Sequence, residues 1–167
     1  MSSSEEMFYT VRGYALHRQD NVLTPSMEDY LEMTCRLAKN EQFVRMGDLS
    51  RALNVQPPSA NKMVQKLSEL GYLNYEKYGL IKLTNQGQEL GGYLIKRHEI
   101  IEQFFKLIGV TEDLLEQTEK IEHNISEKTL KQLTLLVEFL QSNQQYTRLR
   151  QGDGSLVSLR EGFLTHI

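Results

Sequence analysis

The chain has 167 residues, 40% of them apolar and 25% charged, a net charge of −3 and one cysteine. That length supports one or two small domains with real cores, and the composition is ordinary for a soluble globular protein. No apolar run approaches the roughly 20 residues that span a bilayer. The N-terminus lacks a basic and then apolar leader, and a lone Cys35 excludes an intrachain disulfide. A cytoplasmic protein with no membrane partner is expected.

The acidic balance argues mildly against nucleic acid, because many DNA-binding domains are strongly basic. Residues 24–90 hold eight bases and eight acids, so distribution matters more than the sum. Lys62, Lys66, Lys77 and Lys82 gather on one predicted helix and hairpin. Asp29 and Glu32 are candidate metal ligands, whose charge a divalent cation would cancel.

In chain order, residues 1–23 form an N-terminal extension. Its polar start is expected to fray. Phe8, Tyr9, Val11, Tyr14 and Leu16 predict a short ordered arm, which could touch DNA through Arg12. Thr24-Pro25 opens a helix, as an N-cap followed by a proline at the first helical position. Apolar spacing from Met27 to Ala38 carries that helix to about Lys39. Cys35 on this helix reads as small buried filler. Phe43-Val44 leads into a second helix, Met46 to Leu53, with Leu49, Ala52 and Leu53 inward. Pro57-Pro58-Ser59 starts a third, whose stripe is Ala60, Met63, Val64, Leu67 and Leu70, and Gly71 ends it. Two alternating runs, Tyr72–Glu76 and Leu80–Thr84, flank a turn at Lys77-Tyr78-Gly79 and predict a β-hairpin. Thr84 caps a long helix from Asn85 to about Ile108, whose Gly87, Gly91 and Gly92 permit close contact. Leu114 to Ile125 is a further helix. Ser126 caps the last, which runs to Leu140 with Leu130, Leu133, Leu136, Val137 and Leu140 inward. Residues 142–167 are expected to be a loose tail.

Two helices, a tight turn and a hairpin are the parts of a winged helix-turn-helix. The expected fold is mainly α: a winged helix-turn-helix domain over 24–90 with a small hairpin wing, then an all-helical dimerisation domain over 91–141. The third helix would enter the major groove with its first residues at the base edges. The candidate DNA-binding residues are Pro58, Ser59, Ala60, Asn61, Lys62, Gln65, Lys66 and, on the wing, Lys77. Asn and Gln can read adenine and Ala can touch a thymine methyl; Lys66 and Lys77 suit phosphates, which set register. The same surface could instead be plainly solvated, or serve a protein partner.

Three stretches carry candidate metal donors. Asp29 and Glu32 lie three apart, His98 sits on the long helix, and Glu119, Glu122 and His123 share one helical face. Each piece alone is commonly a solvated acidic face or an ordinary histidine. Together they are a hard oxygen and nitrogen set without thiolate, which suits Mn²⁺ or Fe²⁺ better than structural zinc. Donors on both sides of the reading module suggest that metal couples to DNA binding. The absence of a nucleophile motif, a phosphate loop and a Gly-rich catalytic loop opposes a carboxylate-bridged hydrolase, so no enzyme and no small-molecule substrate are expected.

The stretches TPSMEDYLEM, VQPPSANKMVQKL, YEKYG, KRHEIIEQF and IEHNIS resemble the manganese transport regulator branch of the diphtheria-toxin-repressor family, over roughly two-thirds of the chain. The resemblance implies a homodimeric repressor of metal-uptake genes that binds a palindromic double-stranded operator. It carries the ligand pattern onto Asp29, Glu32, His98, Glu119, Glu122 and His123. The similar iron-responsive branch typically has methionine and cysteine where Asp29 and Glu119 stand. The acidic pair thus implies Mn²⁺, as one ion or as a two-metal site; an Fe²⁺- or Zn²⁺-responsive regulator is the alternative. The C-terminal SH3-like domain of longer members is not expected. Residues 1–23 precede the family's usual start. Pro58 and Asn61 replace the common serine and threonine, so an operator sequence does not carry over.

Overall fold

The computed structural model describes residues 23–76, 79–143 and 146. The arm and its Arg12, Lys77-Tyr78 of the hairpin turn, and most of the tail lie outside the described residues. The chain divides into two compact units, with the boundary between Gly91 and Gly92. None of the helices among the described residues is long and apolar enough to cross a membrane.

The first unit opens with α1, Pro25–Leu37, where the Thr24 hydroxyl accepts from the Met27 amide at 3.3 Å. This bond satisfies one of the amides that a helix start leaves without an intrahelical partner. Strand β1, Val44–Arg45, leads directly into α2, Met46–Ala52. Helix α3 spans Pro57–Glu69. It stops where Gly71 turns left-handed at φ +82° and the Tyr72 amide reaches back to the Leu67 carbonyl, a conformation glycine adopts without steric cost. Strands β2, Leu73–Glu76, and β3, Leu80–Leu83, form the predicted hairpin, with Tyr75 opposite Ile81 and Glu76 opposite Leu80.

The sheet has a third strand. Val44 and Arg45 pair antiparallel with Ile81 and Leu80, giving the order β1-β3-β2. Two extended residues are too short to reveal an alternating pattern in sequence. Helix α1 packs on α2 and α3, and α3 packs on β2. Leu31, Leu49, Ala60, Val64, Leu67, Leu73 and Ile81 form the solvent-excluded interior. Ala52 is exposed and Leu53 half-buried, so the inward face of α2 is narrower than its composition predicts.

Helix α4, Asn85–Leu107, begins in the first unit and continues into the second. Thr84 caps it, accepting from the Gly87 amide at 3.0 Å while its hydroxyl donates to the Gly71 carbonyl at 2.7 Å. The absence of side chains lets this helix approach closely. A Cβ on Gly87 would stand 2.0 Å from the Tyr72 carbonyl oxygen, and one on Gly91 2.8 Å from the Cys35 Cβ, whereas Gly92 faces open space. Cys35 is half-buried.

In the second unit α4 continues to Leu107, and Gly109 turns at φ +91°. Helix α5, Leu114–Glu122, is capped by His123 and ends three residues short of the predicted Ile125. The Ser126 hydroxyl accepts from the Thr129 amide at 3.1 Å and starts α6, Glu127–Ser142. Ile100, Ile101 and Leu130 form the core, with Tyr93, Phe105, Ile125 and Leu133 against it. Leu136 is 41% exposed, and its neighbours Leu135 and Phe139 are each 59% exposed, which corrects the inward assignment of Leu136. Beyond α6, the Tyr146 hydroxyl donates to the Leu107 carbonyl, so this residue of the expected loose tail is tied to the end of α4.

Candidate functional site

The predicted base-reading face lies at the start of α3. Pro58, Ser59, Lys62, Gln65 and Lys66 are exposed. Ala60 is fully buried, which corrects its assignment to a base contact: its methyl belongs to the apolar stripe with Val64 and Leu67, turned away from solvent. Asn61 is half-buried, and its Oδ1 accepts from the Tyr75 hydroxyl at 2.7 Å. That bond ties the reading helix to wing strand β2. It also occupies one lone pair of the amide oxygen that bidentate adenine reading requires. On the wing, Lys82 Nζ lies 2.9 Å from Glu76 Oε1, so this lysine is paired within the hairpin. Lys77 lies outside the described residues.

The second unit gathers four of the predicted metal donors. His98 projects from α4, Glu119 and Glu122 from α5, and His123 from the residue that caps it. His98 Nδ1 lies 2.9 Å from Glu122 Oε2 and 3.6 Å from Glu119 Oε1. His123 Nε2 lies 3.7 Å from Glu122 Oε1. Glu119, Glu122 and His123 each offer a donor atom within 4.8 Å of the others. Glu122 is 1% exposed and His98 7%, whereas Glu119 is exposed and gives the cluster an opening to solvent. With Glu122 ionised, His98 donates through Nδ1–H and keeps its lone pair on Nε2. Two imidazoles and two carboxylates, with no thiolate among them, are a donor set that fits a hard or borderline divalent cation.

Asp29 and Glu32 belong to α1 in the first unit. Glu32 is buried, and its Oε1 accepts from Arg36 Nε at 2.9 Å and Nη2 at 2.6 Å. Asp29 is half-buried beside Tyr30. Burial raises the Tyr30 phenol above its ordinary pKa, and the Asp29 charge adds to the rise.

Sequence reasoning missed Arg97. This arginine is 4% exposed, and its Nη2 lies 3.3 Å from His123 Nδ1. A signal was available: Leu94, Arg97 and Ile101 share helical spacing, which sets a guanidinium on an otherwise apolar stripe.

Residues 22–81 match the family described as "Iron dependent repressor, N-terminal DNA binding domain", and residues 84–147 match "Iron dependent repressor, metal binding and dimerisation domain". The chain is 44% identical over 121 residues to the HTH-type transcriptional regulator MntR of Lysinibacillus sphaericus, covering 72% of this chain and 87% of that one. It is 42% identical over 123 residues to the regulator of the same name from Geobacillus kaustophilus, covering 73% and 87%. The solved structure of the manganese regulator SloR superposes with a TM-score of 0.62 at 25% identity, covering 70% of this chain and 55% of that one. The chain thus spans about half the length of that solved protein. The curated relatives are named as regulators rather than enzymes, which removes the hydrolase reading. The chain belongs to the iron-dependent, or diphtheria-toxin, repressor family of metal-dependent transcription regulators, on its MntR-like branch.

Proposed function

We propose that this protein is a cytoplasmic, Mn²⁺-activated repressor of metal-uptake genes that binds a palindromic operator as a homodimer. Residues 24–90 serve as the reading domain, 91–141 as the metal-binding and dimerisation domain, with 1–23 as an extension and 142–167 as a tail. The carrying observation is the gathering of His98, Glu119, Glu122 and His123 in a unit that follows a winged helix-turn-helix. These four would hold the metal. Asp29 and Glu32 are proposed as further ligands, on the strength of the SMEDYLEM motif. One ion or two per subunit are compatible with this number of carboxylates.

A bound divalent cation supplies positive charge that offsets mutual repulsion of the carboxylates, about 1–4 kcal/mol per close pair depending on the local dielectric. The protein's own groups do the rest. Glu122 orients the His98 ring. Ser59, Asn61 and Gln65 present hydrogen-bonding groups to base edges, and Lys62 and Lys66 face phosphates. Leu135, Leu136 and Phe139 lie on one side of α6 by helical spacing and are all exposed, an apolar face suited to a second copy of the chain.

The test is retardation of a DNA fragment from a manganese-uptake promoter, with Mn²⁺ or with chelator. Retardation is expected only with Mn²⁺, and equal binding in chelator rejects the proposal. Titrating Fe²⁺ and Zn²⁺ in the same assay ranks the alternative effectors. Failure to retard the fragment with every metal would favour a protein partner for the winged helix.

A further inference from the structure

We propose that Arg97 is a built-in competitor for His123, setting how tightly the second unit takes a divalent cation. The inference rests on the reading of His98, Glu119, Glu122 and His123 as metal donors. It adds a residue outside that set.

Arg97 is 4% exposed. A charged side chain is rarely buried so far unless it is paired and hydrogen-bonded. It immediately precedes His98 on α4, yet its Nη2 reaches His123 Nδ1, 3.3 Å away at the end of α5. A guanidinium has donors and no acceptor. The His123 Nδ1 must therefore present its lone pair to Arg97, and the neutral ring carries its proton on Nε2, the nitrogen 3.7 Å from Glu122 Oε1.

Metal ligation needs a ring lone pair. Ligation through Nδ1 takes the lone pair that Arg97 occupies. Ligation through Nε2 requires the Nε2 proton to exchange through water onto Nδ1, with no net proton released. Nδ1–H would then face the Arg97 N–H, donor against donor. By either route the bond between Arg97 and His123 breaks, and a fixed positive charge stays beside the incoming cation. Arg97 thus weakens metal binding. A sensor gains from this, because it must empty when the metal becomes scarce. A purely supportive arginine, holding His123 in its ligating pose, would have the opposite effect on removal.

The full chain is stripped with chelator, and its Mn²⁺ affinity is measured by calorimetry for wild type, Arg97→Met and Arg97→Lys. Methionine keeps much of the buried stem while removing the charge and the donors. Arg97→Met is expected to bind Mn²⁺ about tenfold more tightly, the equilibrium counterpart of one hydrogen bond to a charged group, and Arg97→Lys to fall between it and wild type. Wild-type binding with Arg97→Met unchanged or weaker, at unaltered unfolding, overturns the proposal while leaving the metal reading intact. No Mn²⁺ binding by wild type overturns both. If Arg97→Met does not fold, nitrogen-15 NMR of the wild-type histidine rings in chelator decides. The Nε2–H form of His123 supports the competitor, and the Nδ1–H form overturns it.

Discussion

The two units fill their interiors differently. The first is packed with Leu31, Leu49, Val64, Leu67, Leu73 and Ile81, and its buried polar side chains, Glu32 among them, bond within their own helices. Thr34 donates to the Tyr30 carbonyl at 2.7 Å, and Ser50 to the Met46 carbonyl at 2.6 Å. The second buries Arg97, His98 and Glu122 and links them between helices through hydrogen bonds with other titratable groups. Aliphatic packing gives rigidity without chemistry. Buried ionisable groups are costly unless satisfied, and departures from an apolar core concentrate where function needs them. The first unit carries the proposed reading face; the second gathers four of the six proposed metal donors.

The contrast breaks most sharply at the glycines of α4. Gly87→Ala should cost about 3 kcal/mol or more, because a Cβ meets a backbone oxygen that cannot swing aside. Gly92→Ala, with open space around it, should stabilise by about 0.5–1 kcal/mol through helix propensity. Chemical denaturation of both variants measures the difference, and equal effects would contradict the close approach of α4.

Glu122→Gln tests the second unit's centre. It keeps the shape and an acceptor for His98 while removing the charge. Mn²⁺ affinity should fall at least about 100-fold, with a thermal midpoint near wild type. An unchanged affinity by calorimetry would exclude Glu122 as a donor. Tyr75→Phe probes the first unit in the reverse sense. Losing the bond to Asn61 should cost about 1 kcal/mol of stability and weaken operator retardation while Mn²⁺ affinity holds. A fall in Mn²⁺ affinity would contradict the division of labour.

The smallest effect concerns Cys35. Burial is the main cause that pushes its thiol above the ordinary value, and the Glu32 charge adds to it against opposition from Lys39 and Arg36. A raised pKa means less thiolate at any given pH, so alkylation should be slower than for a free thiol near neutrality. Its rate should climb with pH along a curve displaced to higher pH. A rate profile matching a small cysteine peptide would show that the folded environment does not reach the sulfur.

Where chemistry is local, the chain is legible. Thr24-Pro25, Gly71, Thr84 and Ser126 mark helix ends because caps and left-handed stops involve residues only a few positions apart. The spacing of Glu119, Glu122 and His123 projects them toward one side of α5, since 3.6 residues per turn fixes direction. Ala60 lay on the apolar stripe of α3, and its burial follows from that same spacing. Strand β1 was hidden because two residues acquire a strand's identity only from the partner they pair with. Leu136 was misassigned because α6 carries apolar residues on more than one side, and the contacts around Leu130 and Val137 select the buried one.

By itself, then, the sequence determined the helices, the residues that cap or stop several of them, the hairpin and the types of donor atom available. Tertiary structure decided that His98 meets Glu122 from another helix and that Arg97 turns toward His123. Short-range geometry is set by backbone dihedrals and side-chain spacing. Which side of α4 turns inward depends instead on how Ile100 and Ile101 bury against Leu130 of α6, a choice made by the whole core at once.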